Sequence, residues 1–232
     1  MDISVLEVYK TPGLKKRLGN PDGDGGYIIN YSDIDKYDCL LSGGIDRDIS
    51  FEKDFLELYN VPCFAFDGSI TKEPENHSGI NYIFKNIGPI NNDNITNLHE
   101  YFERYNNIFV KMDIEGHEFN WLNSLSKDQM KKIKQLVIEF HYPLAHQQKW
   151  DMLKKLTDTH YLIHLHPNSG CGFTKGRLSG QERDIIIPHV FECTYILKEI
   201  PQLSDEEIPG ILDRKNSECE NIVLRGYPYN TY

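Results

Sequence analysis

The sequence predicts an α/β fold: one seven-stranded, mainly parallel sheet with its last strand antiparallel and helices on both faces. Three observations predict it. Strand-like apolar runs alternate with helix-like segments, the pattern of βαβ units. Runs such as KQLVIEFH are apolar almost throughout, as strands covered on both sides are. The last two runs, THYLIHLHP and VFECTYILK, follow each other with no helix between them, so the final strand turns back.

The elements follow in order. A short helix near the N-terminus and a glycine-rich loop, RLGNPDGDGGYIIN, come before the sheet. KYDCLLSGG is the first strand. In SFEKDFLELYN, Phe51, Phe55, Leu58 and Tyr59 fall on one helical face, with Asp48 or Ser50 as cap. VPCFAFD is the second strand and INYIFKNIG the third. NNDNITN is a polar turn in which Asn94 or Thr96 caps a helix carrying Leu98, Tyr101, Phe102 and Tyr105. NIFVKMD is the fourth strand. EFNWLNSL and SKDQMKKIK are helical, the second capped by Ser126, and KQLVIEFH is the fifth strand. A helix over KWDMLKKLTDT precedes the last two strands. A hairpin-like loop, residues 168–189, joins those strands, and the Pro/Tyr-rich tail packs on the surface. No repeat or linker divides the chain. One domain is expected over 1–232, with an N-terminal helix and loop lid (1–36), a sheet core (37–200) and a packing tail (201–232).

With 232 residues the chain can bury a sizeable core as one domain. A net charge of −10 argues against a nucleic-acid footprint, and KDQMKKIK reads as a solvated helix face. Five cysteines with no CxxC read as reduced thiols of a cytoplasmic protein. MDISVLEVYK lacks the pattern of a signal peptide, and no apolar run reaches the ~20 residues of a membrane span.

The chemistry gathers at strand ends, where open α/β sheets bind ligands. SGGIDRD after the first strand lets a ligand approach the backbone at Gly43 and Gly44. It lacks G-x-G-x-x-G, and Asp46 and Asp48 suit an amino group or sulfonium better than a pyrophosphate. Asp67, before Gly68, sits about 20 positions on, where an acidic residue accepts from a ribose diol. Asn86 and Ile87 would flank an adenine. Asp113 ends the fourth strand, and Glu139 and His141 end the fifth. Neighbouring strands lie about 5 Å apart, so these three converge on a site for Mg²⁺ or Mn²⁺. The bland alternative is that the two carboxylates cap helices. His117 can line the pocket. His164 and His166 are expected on opposite sides of their strand, His166 nearer the active site. Asn168 can orient a hydroxyl. Glu192, in an apolar strand, needs a partner such as Arg183 or Lys175.

These residues resemble a known family. KMDIEGHE looks like the K-x-D-x-E-G-x-E motif of FkbM-type methyltransferases that use S-adenosylmethionine (SAM). RLGNPDGDGGYII, SGGIDRDISFE, HLHPNSG and FECTYI resemble further segments of a methyltransferase-like subgroup, in order from Arg17 to Tyr195. Ser169 departs where that subgroup often has Asn. The resemblance implies the class I methyltransferase sheet, SAM bound by Gly43, Gly44, Asp46, Asp67, Gly68, Asn86, Ile87 and Asp113 with Tyr27 beside them, and O-methylation of a sugar hydroxyl. The acceptor would be a nucleotide-activated sugar or glycan of surface-polysaccharide (capsule) biosynthesis, and a homodimer is expected by analogy. In related macrolide-sugar enzymes acidic residues at strand ends four and five bind Mg²⁺. Asp113 matches the first, while Glu139 and His141 occupy the later positions with other residue types. The base would be His141, His166 or His117, beside Asp113. Three other readings stand: a methyltransferase for another small molecule or a protein, a metal-dependent hydrolase, and a carbohydrate-binding scaffold.

Overall fold

The strands that read as continuous apolar runs carry two different stripes. In a strand, alternate residues point to opposite faces. Leu136, Ile138 and Phe140 enter one core with Val110, Met112, Phe191, Cys193 and Tyr195. Their alternates, Gln135, Val137 and Glu139, face the other way with Phe109, Lys111, Glu192 and Thr194. One face of the sheet is dry. The other mixes apolar and ionisable groups, and it carries the candidate site.

The computed structural model describes residues 2–32, 36–143, 147–176, 184–198 and 202–229. A 3-10 turn (Ile3–Leu6) precedes β1 (Leu14–Gly19) and β2 (Gly26–Tyr31). Then come β3 (Cys39–Gly43), α1 (Ser50–Tyr59), β4 (Cys63–Phe66), β5 (Ile80–Ile83), β6 (Asn86–Ile87), β7 (Ile95–Thr96) and α2 (His99–Arg104). The second half holds β8 (Ile108–Met112), α3 (Glu118–Ser124), α4 (Lys127–Lys132), β9 (Ile133–His141), α5 (Gln147–Thr157), β10 (His160–Pro167), β11 (Phe173–Gly176), β12 (Ile185–Pro188) and β13 (Val190–Leu197). The main sheet has the order β5-β4-β3-β8-β9-β13-β10. Its first five strands are parallel, and β13 runs antiparallel to both neighbours.

Residues of α2, α3 and α5 (Phe102, Trp121, Trp150) fill the dry face. Phe51 and Phe55 of α1 cover the other, together with Leu18, Tyr27 and Ile29. Those last three belong to a β-hairpin, so the segment expected as a loop lid is two paired strands. β1 and β2 pair antiparallel from Leu14↔Tyr31 to Gly19↔Gly26. The polar NPDGD stretch that reads as loop is only the turn between them. Polar groups hold the hairpin down. The Gln135 side chain accepts from Asn30 N–H at 2.6 Å and donates to Asn30 C=O at 3.0 Å. The Thr194 hydroxyl donates to Ile28 C=O.

Other expectations need correction. INYIFKNIG is not one strand: after Ile83 the chain turns, and Asn86 N–H donates to Asn94 C=O, which starts the small β6–β7 pair. Asn94 and Thr96 therefore do not cap α2. Leu98 precedes that helix in the left-handed region, and Asn97 Oδ1 accepts from His99 N–H. At α1, Ile49 holds the cap position with no side-chain bond of its own, and Asp48 Oδ1 accepts from Ser50 N–H at 2.8 Å at the helix start. Ser126 does cap α4, in a reciprocal box with Gln129. The tail, expected to pack on the core, puts Ile208, Ile222, Leu224 and Tyr229 into it. Among the described residues no helix is long and apolar enough to cross a membrane. Cys39, Cys63 and Cys193 are free and buried, Cys171 is half-buried and Cys219 exposed.

Candidate active site

A cleft of about 730 Å³ opens at the carboxyl ends of β3, β4 and β8. Its backbone is shaped by Gly44, at φ +74°, where a Cβ would lie 1.6 Å from Asp113 C=O. No side chain fits there. Gly44 N–H donates to Phe66 C=O and Asp113 N–H to Gly43 C=O, which ties the three strand ends together. Gly44, Asp46, Asp67, Asn86, Ile87, Asp113 and His117 line the cleft. Gly43 and Gly68 lie behind it. A Cβ on Gly43 would meet Ile87 Cδ1 at 2.5 Å, and one on Gly68 would meet Asn86 at 2.6 Å. Both glycines thus let those residues close up.

Asp67 is already engaged. Its Oδ2 accepts from Asp46 N–H at 2.8 Å. Its Oδ1 accepts from the Ser69 N–H at 2.8 Å and hydroxyl at 2.6 Å. Partial burial pushes the carboxyl up, but these bonds outweigh it and hold Asp67 below the usual carboxylate range.

Beside the cleft stand Asp113, Glu139 and His141. One ligand atom from each lies within 4.8 Å of the others. Tyr27, which does not line the cleft, donates its hydroxyl to Asp113 Oδ2 at 2.9 Å. Asp113 Oδ1 is buried with no hydrogen-bond partner among the described residues. Asn168 donates to Glu139 Oε1 at 3.0 Å. His141 Nδ1 lies 2.9 Å from Glu118 Oε1, and Nε2 lies 3.5 Å from Glu115 and 3.7 Å from Glu139. Burial, then the Asp113 charge, pushes Glu139 up to about 10. Burial pulls His141 down, but Glu118, with the Asp113 and Glu115 charges, more than reverses this and raises it. Burial, then Asp113, raises the Tyr27 hydroxyl well above its ordinary value. Two carboxylates and an imidazole, with an orphaned carboxylate oxygen, fit a divalent cation. A cleft of this size fits a nucleoside-sized cofactor.

His166 sits farther off. Register pairs Glu139 with Glu192 and Glu192 with His166, so a polar row crosses three adjacent strands. His166 Nδ1 lies 3.3 Å from Glu192 Oε2, and its buried Nε2 has no partner among the described residues. His164 does not face the opposite side. Residues two apart in a strand point the same way, and Asp213, which binds His164 Nε2 at 2.9 Å, also lies in the field of His166. Of the partners expected for Glu192, Arg183 lies outside the described residues, and Lys175 sits over the Phe173 ring. Among the described residues Glu192 meets His166 and Asn216, the latter donating at 2.6 Å.

Two residues of the motif escaped the sequence reading. Lys111, buried on β8, donates to Gly44 C=O at 2.7 Å and lies over the Tyr27 ring at 5.3 Å. A lysine inside an apolar strand was its signal, since a buried charge needs a partner. Glu118, fully buried, receives Gly116 N–H at 2.9 Å and Ile114 N–H at 3.3 Å on the oxygen facing His141.

Comparison with family models finds no match. Comparison with curated proteins finds none either. Among solved structures, the chain is similar to precorrin-6y C5,15-methyltransferase from Geobacter metallireducens GS-15. That match has 9% identity and a TM-score of 0.36, over 70% of this chain and 82% of that one. A likeness so distant carries no argument about fold or activity. Those rest on the chain's own strand order and on the groups gathered at its strand ends.

Proposed function

We propose that the chain is a SAM-dependent O-methyltransferase acting on a sugar hydroxyl, in a glycan or nucleotide-activated sugar of surface-polysaccharide (capsule) biosynthesis. One observation carries the methyltransferase reading. The strand order, with its antiparallel β13, is the class I methyltransferase arrangement, and the cleft opens beside Gly44 and Asp67 as a nucleoside site on that sheet requires. The sugar acceptor rests on the motif resemblance alone.

SAM, when bound, supplies an electrophilic methyl on a sulfonium. Gly44 allows close backbone approach, Asp67 offers an acceptor to the ribose, and Ile87 with Ile90 gives an apolar wall for adenine. A sugar hydroxyl is a weak nucleophile at neutral pH and needs its proton removed or its pKa lowered. In the metal-free centre His141 Nε2 can take that proton, with Glu118 holding the ring from behind; with a cation bound, Nε2 is a ligand and the cation takes over this role. A divalent cation held by Asp113, Glu139 and His141 would acidify the hydroxyl.

Calorimetry with S-adenosylhomocysteine, with and without Mg²⁺ or Mn²⁺, tests the reading. A micromolar Kd is expected, weakened at least about tenfold in Asp67→Ala, the loss of one charge-assisted bond. No binding in either condition would sink the proposal. The carboxylate–histidine centre would then stand as a hydrolase site.

A further inference from the structure

We propose that Glu118 makes the Asp113–Glu139–His141 centre a transition-metal site, one that prefers Mn²⁺ or Zn²⁺ to Mg²⁺. The inference deepens the reading above by assigning the metal class, and it introduces Glu118 as a positioning residue.

Glu118 is fully buried at the start of α3. Its Oε1 lies 2.9 Å from Gly116 N, 3.3 Å from Ile114 N and 2.9 Å from His141 Nδ1. The two backbone donors reach it because Glu115 (φ +54°) and Gly116 (φ +94°) are both left-handed, a conformation uncommon for non-glycine residues and often found at functional sites. A carboxylate fixed by two N–H groups accepts; it does not donate. His141 therefore carries its proton on Nδ1 and keeps a lone pair on Nε2, the nitrogen turned toward Glu139. A carboxylate behind the ring of a metal-binding histidine is a recurring support for such sites.

Selectivity follows from the donors. Mg²⁺ demands oxygen and near-ideal octahedral geometry. Imidazole suits Zn²⁺ and other first-row metals, and carboxylates accept Mn²⁺. One nitrogen and two carboxylates thus favour a borderline cation. The buried Asp113 Oδ1, unbonded among the described residues, is the independent sign that a partner belongs there.

The test is calorimetric titration of the metal-free full chain with MnCl₂, ZnCl₂ and MgCl₂. S-adenosylhomocysteine binding is measured on the same samples. Wild type is expected to bind Mn²⁺ and Zn²⁺ at least tenfold more tightly than Mg²⁺. Glu118→Gln should weaken Mn²⁺ binding 10- to 100-fold, with S-adenosylhomocysteine affinity within about twofold of wild type as the check that the fold holds. His141→Gln should weaken it at least as much. Nitrogen NMR of wild-type His141 at pH 8 needs no variant, and should show the proton on Nδ1. Three results would overturn the proposal: no Mn²⁺ or Zn²⁺ binding by wild type at millimolar metal, Mg²⁺ bound as tightly, or a proton on Nε2. Metal binding without S-adenosylhomocysteine binding would sink the methyltransferase reading and leave this one standing.

Discussion

Glu139 shows how one side chain can oppose stability for the sake of a site. Burial and the neighbouring Asp113 hold its carboxyl up to about 10, against 4.5 for a free one. In the metal-free chain at pH 8 it is therefore protonated when folded and ionised when unfolded. A group whose folded pKa is raised contributes stability that is full below the unfolded pKa and lost as pH rises toward the folded one. Glu139→Gln removes this titration and keeps an acceptor for Asn168. Its melting temperature in EDTA should exceed that of wild type by at least about 3 °C at pH 8, with the gap shrinking at pH 5. An equal or lower value at pH 8 would contradict the burial. The cluster itself was legible in the sequence, since Asp113, Glu139 and His141 end adjacent parallel runs. Glu118 was not, because nothing in E-G-x-E says that the chain doubles back through two left-handed residues to turn this carboxylate inward.

At the scale of elements, β10 carries a second titration. His160 is buried, with its Nε2 2.8 Å from Ile133 C=O and its Nδ1 2.8 Å from Thr159 Oγ1. Burial depresses it to about 4, from 6.5 when unfolded. The unfolded chain takes the proton first, so stability falls as pH drops from 6.5 toward 4. Chemical denaturation at pH 7 and pH 4.5 should show wild type losing about 2–3 kcal/mol more than His160→Gln. Equal losses would place the titration elsewhere. Strands were the readable elements. The alternation Gln135, Val137, Glu139 against Leu136, Ile138, Phe140 is plain in KQLVIEFH, although the run as a whole reads apolar. The β1–β2 hairpin was hidden. Only Leu18 is fully buried along β1, so the strand has almost no apolar signal, and its glycine-rich turn dominates the segment.

Over the whole molecule, the two cores share their strands. β3, β8 and β9 each give alternate residues to both. Neither core can open without releasing the sheet that holds the other. Calorimetry should therefore show a single transition, shifted together by Phe109→Ala, from the α1 side, and Trp121→Ala, from the opposite side. Each loses a large buried ring, at a cost of about 3–5 kcal/mol. Two separable transitions, each moved by one variant, would divide the chain into independent units.

The engagement of Asp67 has its own consequence for recognition. A carboxylate has about four lone-pair positions; Asp46 and Ser69 fill three, and the Ile45 N–H also acts on this carboxyl. A nucleoside offering two adjacent hydroxyls therefore finds at most one vacancy, and this carboxylate cannot hold both of them. Telling ribose from deoxyribose then falls to other groups lining the cleft.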